Sequence, residues 1–133
     1  MSHYHYLTIE QRERLDTEIR SRITTLRGEI VQGLRRSAHA DAARLADRLE
    51  AGDDAPVADL ETAIQVAALE REGAELREMR AAGARLHTPD YGVCVDCGAD
   101  IPYARLEITP AATRCVGCQS RQERAQGGET PSL

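Results

Sequence analysis

Phenylalanine, tryptophan and lysine are missing from this chain of 133 residues, and its aromatic content is 3%, all tyrosine. Aromatic side chains supply much of the buried area of a compact globular core, so a large enzyme-like core is not expected. The 17 positive charges are all arginine and stand against 22 carboxylates, a net charge of −5. Wholesale coating of nucleic acid or of an anionic membrane rewards basic surfaces, and this balance argues against both. No run approaches the roughly eighteen apolar residues of a transmembrane helix, so no membrane partner is expected. Met1-Ser-His-Tyr-His-Tyr6 lacks the charged and apolar regions of a secretory signal, so the chain is expected to stay in the cytoplasm. There is no phosphate-cradling glycine loop and no nucleophile–base pair. The histidines, His3, His5, His39 and His87, are scattered, so the chain is read as a non-enzyme.

What is abundant is Ala, Leu, Arg and Glu, the composition of long helices and coiled coils. Thr8 with Gln11 forms a capping-box pattern, with Leu7 before it as a hydrophobic staple. Leu15, Ile19, Ile23, Leu26, Ile30 and Leu34 then step by three and four, and Ala38, Ala42, Leu45 and Leu49 continue the stripe. This predicts one helix over about 8–50. Gly52 suits its C-terminus, Asp53 or Asp54 suits an N-cap, and Pro56 suits the first turn of a second helix. That helix, about 56–86, carries Val57, Leu60, Ile64, Leu69, Leu76, Met79 and Leu86 on one stripe. A short turn makes the two helices antiparallel neighbours. Folding about residue 53 sets Gly33 opposite Gly73 and Ile23 opposite Gly83, and leaves the start of the first helix beside whatever follows the second.

All four cysteines lie in the last third, as Cys94-Val-Asp-Cys97 and Cys115-Val-Gly-Cys118 with seventeen residues between the pairs. Two residues between cysteines let a tight knuckle aim both sulfurs at one metal, and two knuckles complete a tetrahedron. Four thiolates close the coordination shell, so the expected cofactor is one structural Zn²⁺ held by Cys94, Cys97, Cys115 and Cys118. Ile101, Leu106 and Ile108 are expected to pack under the metal, and Cys118 to open a short helix that runs to about Ala125. The fold class is therefore mostly α: a long antiparallel helical hairpin (coiled coil) plus a small four-cysteine zinc-finger module with a short C-terminal helix. In chain order this is a flexible N-terminus over 1–7, the hairpin over 8–88 with an acidic tip at 51–59, the finger over 89–125 and a disordered tail over 126–133.

The stretch from Tyr91 to Gln119 resembles the DksA/TraR C4-type zinc finger. The matching features are Tyr91-Gly92 before the first knuckle, Cys97-Gly98, Ile101, Arg105-Leu106, Pro110 with Ala112, and Cys118-Gln119. The resemblance implies a bacterial transcription regulator that binds RNA polymerase rather than DNA. Its coiled-coil arm would enter the secondary channel and carry acidic residues toward the catalytic centre. Members acting this way usually carry two tip aspartates three apart. Here the turn offers Asp53, Asp54 and Asp59, of which Asp54 matches best by its distance from the finger. The basic residues by which members respond to ppGpp fall on Glu78, Thr109 and Gln119, so little or no ppGpp response is expected. Arg105, Arg114, Arg121 and Arg124 offer surface contacts to a partner. A monomer without direct sequence-specific DNA binding is the expected state. The alternatives are a finger that contacts nucleic acid through those arginines and an adaptor whose hairpin binds another protein.

Overall fold

A computed structural model describes residues 6–37, 41–53 and 67–127. Five helices occupy them: α1 Ile9–Arg36, α2 Ala42–Glu50, α3 Ala67–Arg85, α4 Tyr103–Ile108 and α5 Val116–Gly127. Among the described residues there is no β-strand, only an isolated antiparallel bridge between Val93 and Asp100. No helix among them is long and apolar enough to cross a membrane.

The start of α1 forms as its sequence dictates. The Gln11 amide donates to Thr8 Oγ1 at 3.0 Å, and the Thr8 amide donates to Gln11 Oε1 at 3.0 Å. Two of the four amide donors that a helix start leaves unpartnered are satisfied reciprocally. From there Leu15, Ile19, Leu26, Ile30, Val31 and Leu34 are buried, while Ile23 is only half-buried. Their facing set on α3 is Leu69, Leu76, Met79 and Ala82, with Leu86 just beyond its end. The two helices run antiparallel, but one helical turn away from the register expected from a fold about residue 53. Leu69 packs on Gly33, and Ile19 packs on Gly83. At Gly33 the approach is close: a Cβ there would lie 2.6 Å from Leu69 Cδ2, so the missing side chain makes the seat for the leucine.

The register differs because the first helix ends early. Where the periodicity predicts one helix over 8–50, the described residues form two. Ser37 leaves the helical region with ψ 143°, its amide donating to the Leu34 carbonyl, and α2 starts again at Ala42. Ser37, His39 and Asp41 are weak helix formers. More decisively, Ala42, Leu45, Ala46 and Leu49 make one narrow apolar face, which is buried in the same core as α1. Arg35 of α1 reaches both Asp47 and Glu50 of α2, so α2 packs beside the end of α1 instead of prolonging it. The expected residues Val57, Leu60 and Ile64, and the start of the second helix, lie outside the described residues.

The end of α2 follows the sequence closely. Gly52 has φ 93°; its amide donates to the Leu49 carbonyl at 3.0 Å, and the Asp53 amide donates to the Arg48 carbonyl at 2.9 Å. This is the paired hydrogen bonding of a Schellman stop, which requires a left-handed residue.

Leu49 is fully buried at this junction. Leu49→Ala should therefore cost about 2–4 kcal/mol in urea or thermal unfolding, the range for deleting a core leucine side chain. A loss below about 1 kcal/mol, well under that range, would show that α2 is not docked in solution.

Candidate metal centre and arm tip

Residues 86–118 wrap the four cysteines with little core of their own. Tyr91, Ile101 and Leu106 are fully buried, and Tyr91 Oη donates to the Pro110 carbonyl at 2.8 Å. Ile108, expected beneath the metal, is 73% exposed instead, because it ends the six-residue α4 on its outer side. In the first knuckle the Cys94 amide donates to the Ala99 carbonyl at 2.8 Å, and the Gly98 amide donates to the Cys94 carbonyl at 2.9 Å. Gly98 has φ 78°, a conformation that glycine adopts without penalty. Two straps join this knuckle to the second: the Val95 amide donates to the Thr113 carbonyl at 2.9 Å, and Arg114 Nε donates to Asp96 Oδ2 at 2.7 Å. Cys118 lies inside the first turn of α5, which begins two residues earlier than the sequence suggested.

The knuckles bring the four Sγ atoms within 4.8 Å of one another, with Cys97 and Cys115 3.9 Å apart. Thiolates around a zinc ion at about 2.3 Å stand roughly 3.8 Å from each other, so the donor set fits one tetrahedral Zn²⁺. No disulfide joins them, and His87 is not in the cluster. Cys94 and Cys118 are buried, Cys115 is half-buried and Cys97 exposed. A closed shell of four sulfurs leaves no position for water or substrate, which makes this a folding device rather than a reaction centre.

Backbone amides favour the charged form at two of the four sulfurs. The Cys97 amide, with those of Cys115 and Asp96, brings the Cys94 thiol down to about 6 against the opposing effect of burial. The Cys118 amide acts in the same direction on Cys115. Cys118 is pushed the other way, up to about 12, by hydrogen bonding with Cys115 and then by burial. Zinc binding must displace the protons that the four thiols still carry.

The arginines expected to contact a partner are mostly engaged within the finger. Arg105 Nε donates to the Arg114 carbonyl at 3.2 Å, Arg114 holds Asp96, and Arg121 Nη2 donates to Cys118 Sγ at 3.0 Å. Arg124 is exposed on α5. At the end of α2 Arg48 grips Asp53, with Nε and Nη2 at 3.1 and 2.9 Å from one carboxylate oxygen. Asp54 and Asp59 lie outside the described residues. Glu78, Thr109 and Gln119 are far apart in the chain, yet they line one cavity of about 440 Å³ between α3 and the finger, together with Arg85, Arg105 and Glu123. Periodicity gives no hint of that convergence.

Helices and cysteines together define a four-cysteine zinc-finger module carried on an antiparallel helical rod. Residues 89–124 match the prokaryotic dksA/traR C4-type zinc finger. The chain is 43% identical over 54 residues to an uncharacterized 8.2 kDa protein of Escherichia phage P2, covering 39% of this chain and 73% of that one. It is 35% identical over 54 residues to the RNA polymerase-binding transcription factor DksA of Haemophilus influenzae, covering 41% of this chain and 37% of that one. The structure of transcription factor DksA2 from Pseudomonas aeruginosa superposes over 91% of this chain and 89% of its own, with a TM-score of 0.60 at 27% identity. The chain belongs to the DksA/TraR C4-type zinc-finger family. It spans less than half the length of the first curated relatives it matches.

Purified protein should carry one zinc per chain, and chelation should unfold the finger while much of the helical signal of α1 and α3 persists. Because binding displaces protons, zinc affinity should rise with pH, roughly tenfold per unit for each proton released. Chelator competition between about pH 6 and 8 measures this; a flat profile would mean that the thiols are already ionised.

Proposed function

We propose that the chain is a transcription regulator that binds RNA polymerase as a monomer and inserts its helical rod into the secondary channel. The observation that carries this reading is the likeness to DksA2, which extends through rod and finger alike and is not confined to the cysteines. The physics agrees with it. A stiff two-helix rod can reach down a narrow pore, and carboxylates at its end are attracted by Mg²⁺ and by basic loops. The finger holds the root of the rod at the rim. Arg48 occupies the Asp53 carboxylate, so Asp54 is the better candidate for the acting tip residue, with Asp59 as a further contributor. The engagement of Arg105, Arg114 and Arg121 inside the finger disfavours the alternative in which they grip nucleic acid, and no direct sequence-specific DNA binding is proposed.

Core RNA polymerase immobilised on resin should retain the protein, and Asp54→Asn should keep binding while abolishing its effect in a transcription assay with purified components. Absence of any binding to polymerase would remove this reading.

Response to ppGpp is proposed to be weak or absent. The family's basic positions are here Glu78, Thr109 and Gln119. Of the arginines in the cavity beside the finger, Arg105 is turned to the Arg114 carbonyl and Arg114 to Asp96, and Arg85 shares the space with Glu78 and Glu123. Isothermal titration of ppGpp into polymerase, with and without the protein, should give the same heats. A ppGpp site that appears only when the protein is present would overturn this.

A further inference from the structure

The second knuckle has a charge neighbour that the zinc motif does not require. Four thiolates around a divalent ion leave a formal charge of −2, and a buried or half-buried anion of that size needs compensation close by. Arg121 stands three residues after Cys118 on α5, on the same helical face, and its Nη2 lies 3.0 Å from Cys118 Sγ. Cys118 is 2% exposed, so water does little to screen that sulfur. The guanidinium also lies along the second knuckle: a Cβ on Gly117 would stand 3.9 Å from Arg121 Nη1, in ordinary contact. Arg114 serves a different purpose, since its Nε goes to Asp96 and not to a sulfur.

We infer that Arg121 is the charge partner of the metal centre, its guanidinium donating to the Cys118 thiolate and so retaining the ion in the finger. Arginine suits the task because it stays protonated at every working pH and is more weakly hydrated than an ammonium group. A charge-assisted hydrogen bond to a bound thiolate withdraws electron density from sulfur and offsets the charge of the four-sulfur shell. Groups of this kind around a metal typically change its affinity by about 10–100-fold. On this view Arg121 is a positioning residue for the zinc site.

The test compares the parent with Arg121→Gln, Arg121→Lys and Arg124→Gln, full chain in each case. Zinc transfer to a chromogenic chelator should be about 10–100-fold faster for Arg121→Gln, intermediate for Arg121→Lys and parental for Arg124→Gln. Replacing zinc with Co²⁺ adds a readout that a merely structural role would not move. Loss of the donor should shift the thiolate-to-cobalt charge-transfer band to lower energy in Arg121→Gln. Should that variant yield no folded protein, Arg121→Lys decides, since an ammonium does not reproduce the guanidinium's fork. Unchanged zinc transfer and an unchanged cobalt band at position 121 would overturn the inference. So would an equal loss in Arg124→Gln, which would point to net charge alone.

Discussion

Four cysteine sulfurs held within 4.8 Å of one another cannot all ionise unless a cation lies among them. That constraint governs the last third of the molecule. The finger buries only Tyr91, Ile101 and Leu106 as large side chains beside its cysteines, too little apolar area to hold a fold of this length. The straps from Val95 to Thr113 and from Arg114 to Asp96 align the knuckles but cannot replace a closed metal shell. Metal binding and folding of this segment are therefore one event, and the root of the rod depends on it.

The parts of this architecture that are legible in the sequence are those encoded over a few residues. The paired C-x-x-C spacing identifies the metal donors, Thr8 with Gln11 marks the start of α1, and Gly52 marks the end of α2. The apolar stripe locates Leu15, Ile19, Leu26, Ile30 and Leu34 in the seam. The break after Arg36 is not legible, because Ala42, Leu45 and Leu49 continue the same three-and-four spacing whether the helix runs on or packs beside itself. Periodicity specifies a face but not what covers it. The shift in register follows directly: with α2 laid beside the end of α1, the hairpin no longer pivots at residue 53, and Gly33 receives Leu69 in place of Gly73.

The finger arginines illustrate a second limit. In sequence, Arg105, Arg114 and Arg121 read as a basic surface because nothing in their spacing relates them to a carbonyl, a carboxylate or a sulfur. In three dimensions each has such an acceptor. A chain with 17 arginines and no lysine uses the planar, many-donor guanidinium where a point charge would satisfy fewer groups. The same versatility appears at the end of α2, where Arg48 both closes the Schellman stop through its carbonyl and holds Asp53 through its side chain.

How the rod is set on the finger follows from the acceptors it uses. Tyr6 donates to the Ile101 carbonyl, Arg12 to that of Leu86 at 3.1 Å, and Arg22 to that of Ile108 at 3.1 Å. All three acceptors are backbone groups, in or next to the finger, so their positions depend on the path of the chain and not on the identity of a side chain. A substitution at Ile108 leaves its carbonyl in place, whereas loss of the metal-closed path would move two of the three at once. The seam between α1 and α3 has its own apolar support in Leu15, Ile19, Leu76 and Met79 and does not need the finger to stay closed. The metal thus contributes direction to a rod whose stiffness has another source: the helices make the probe, and the finger aims it.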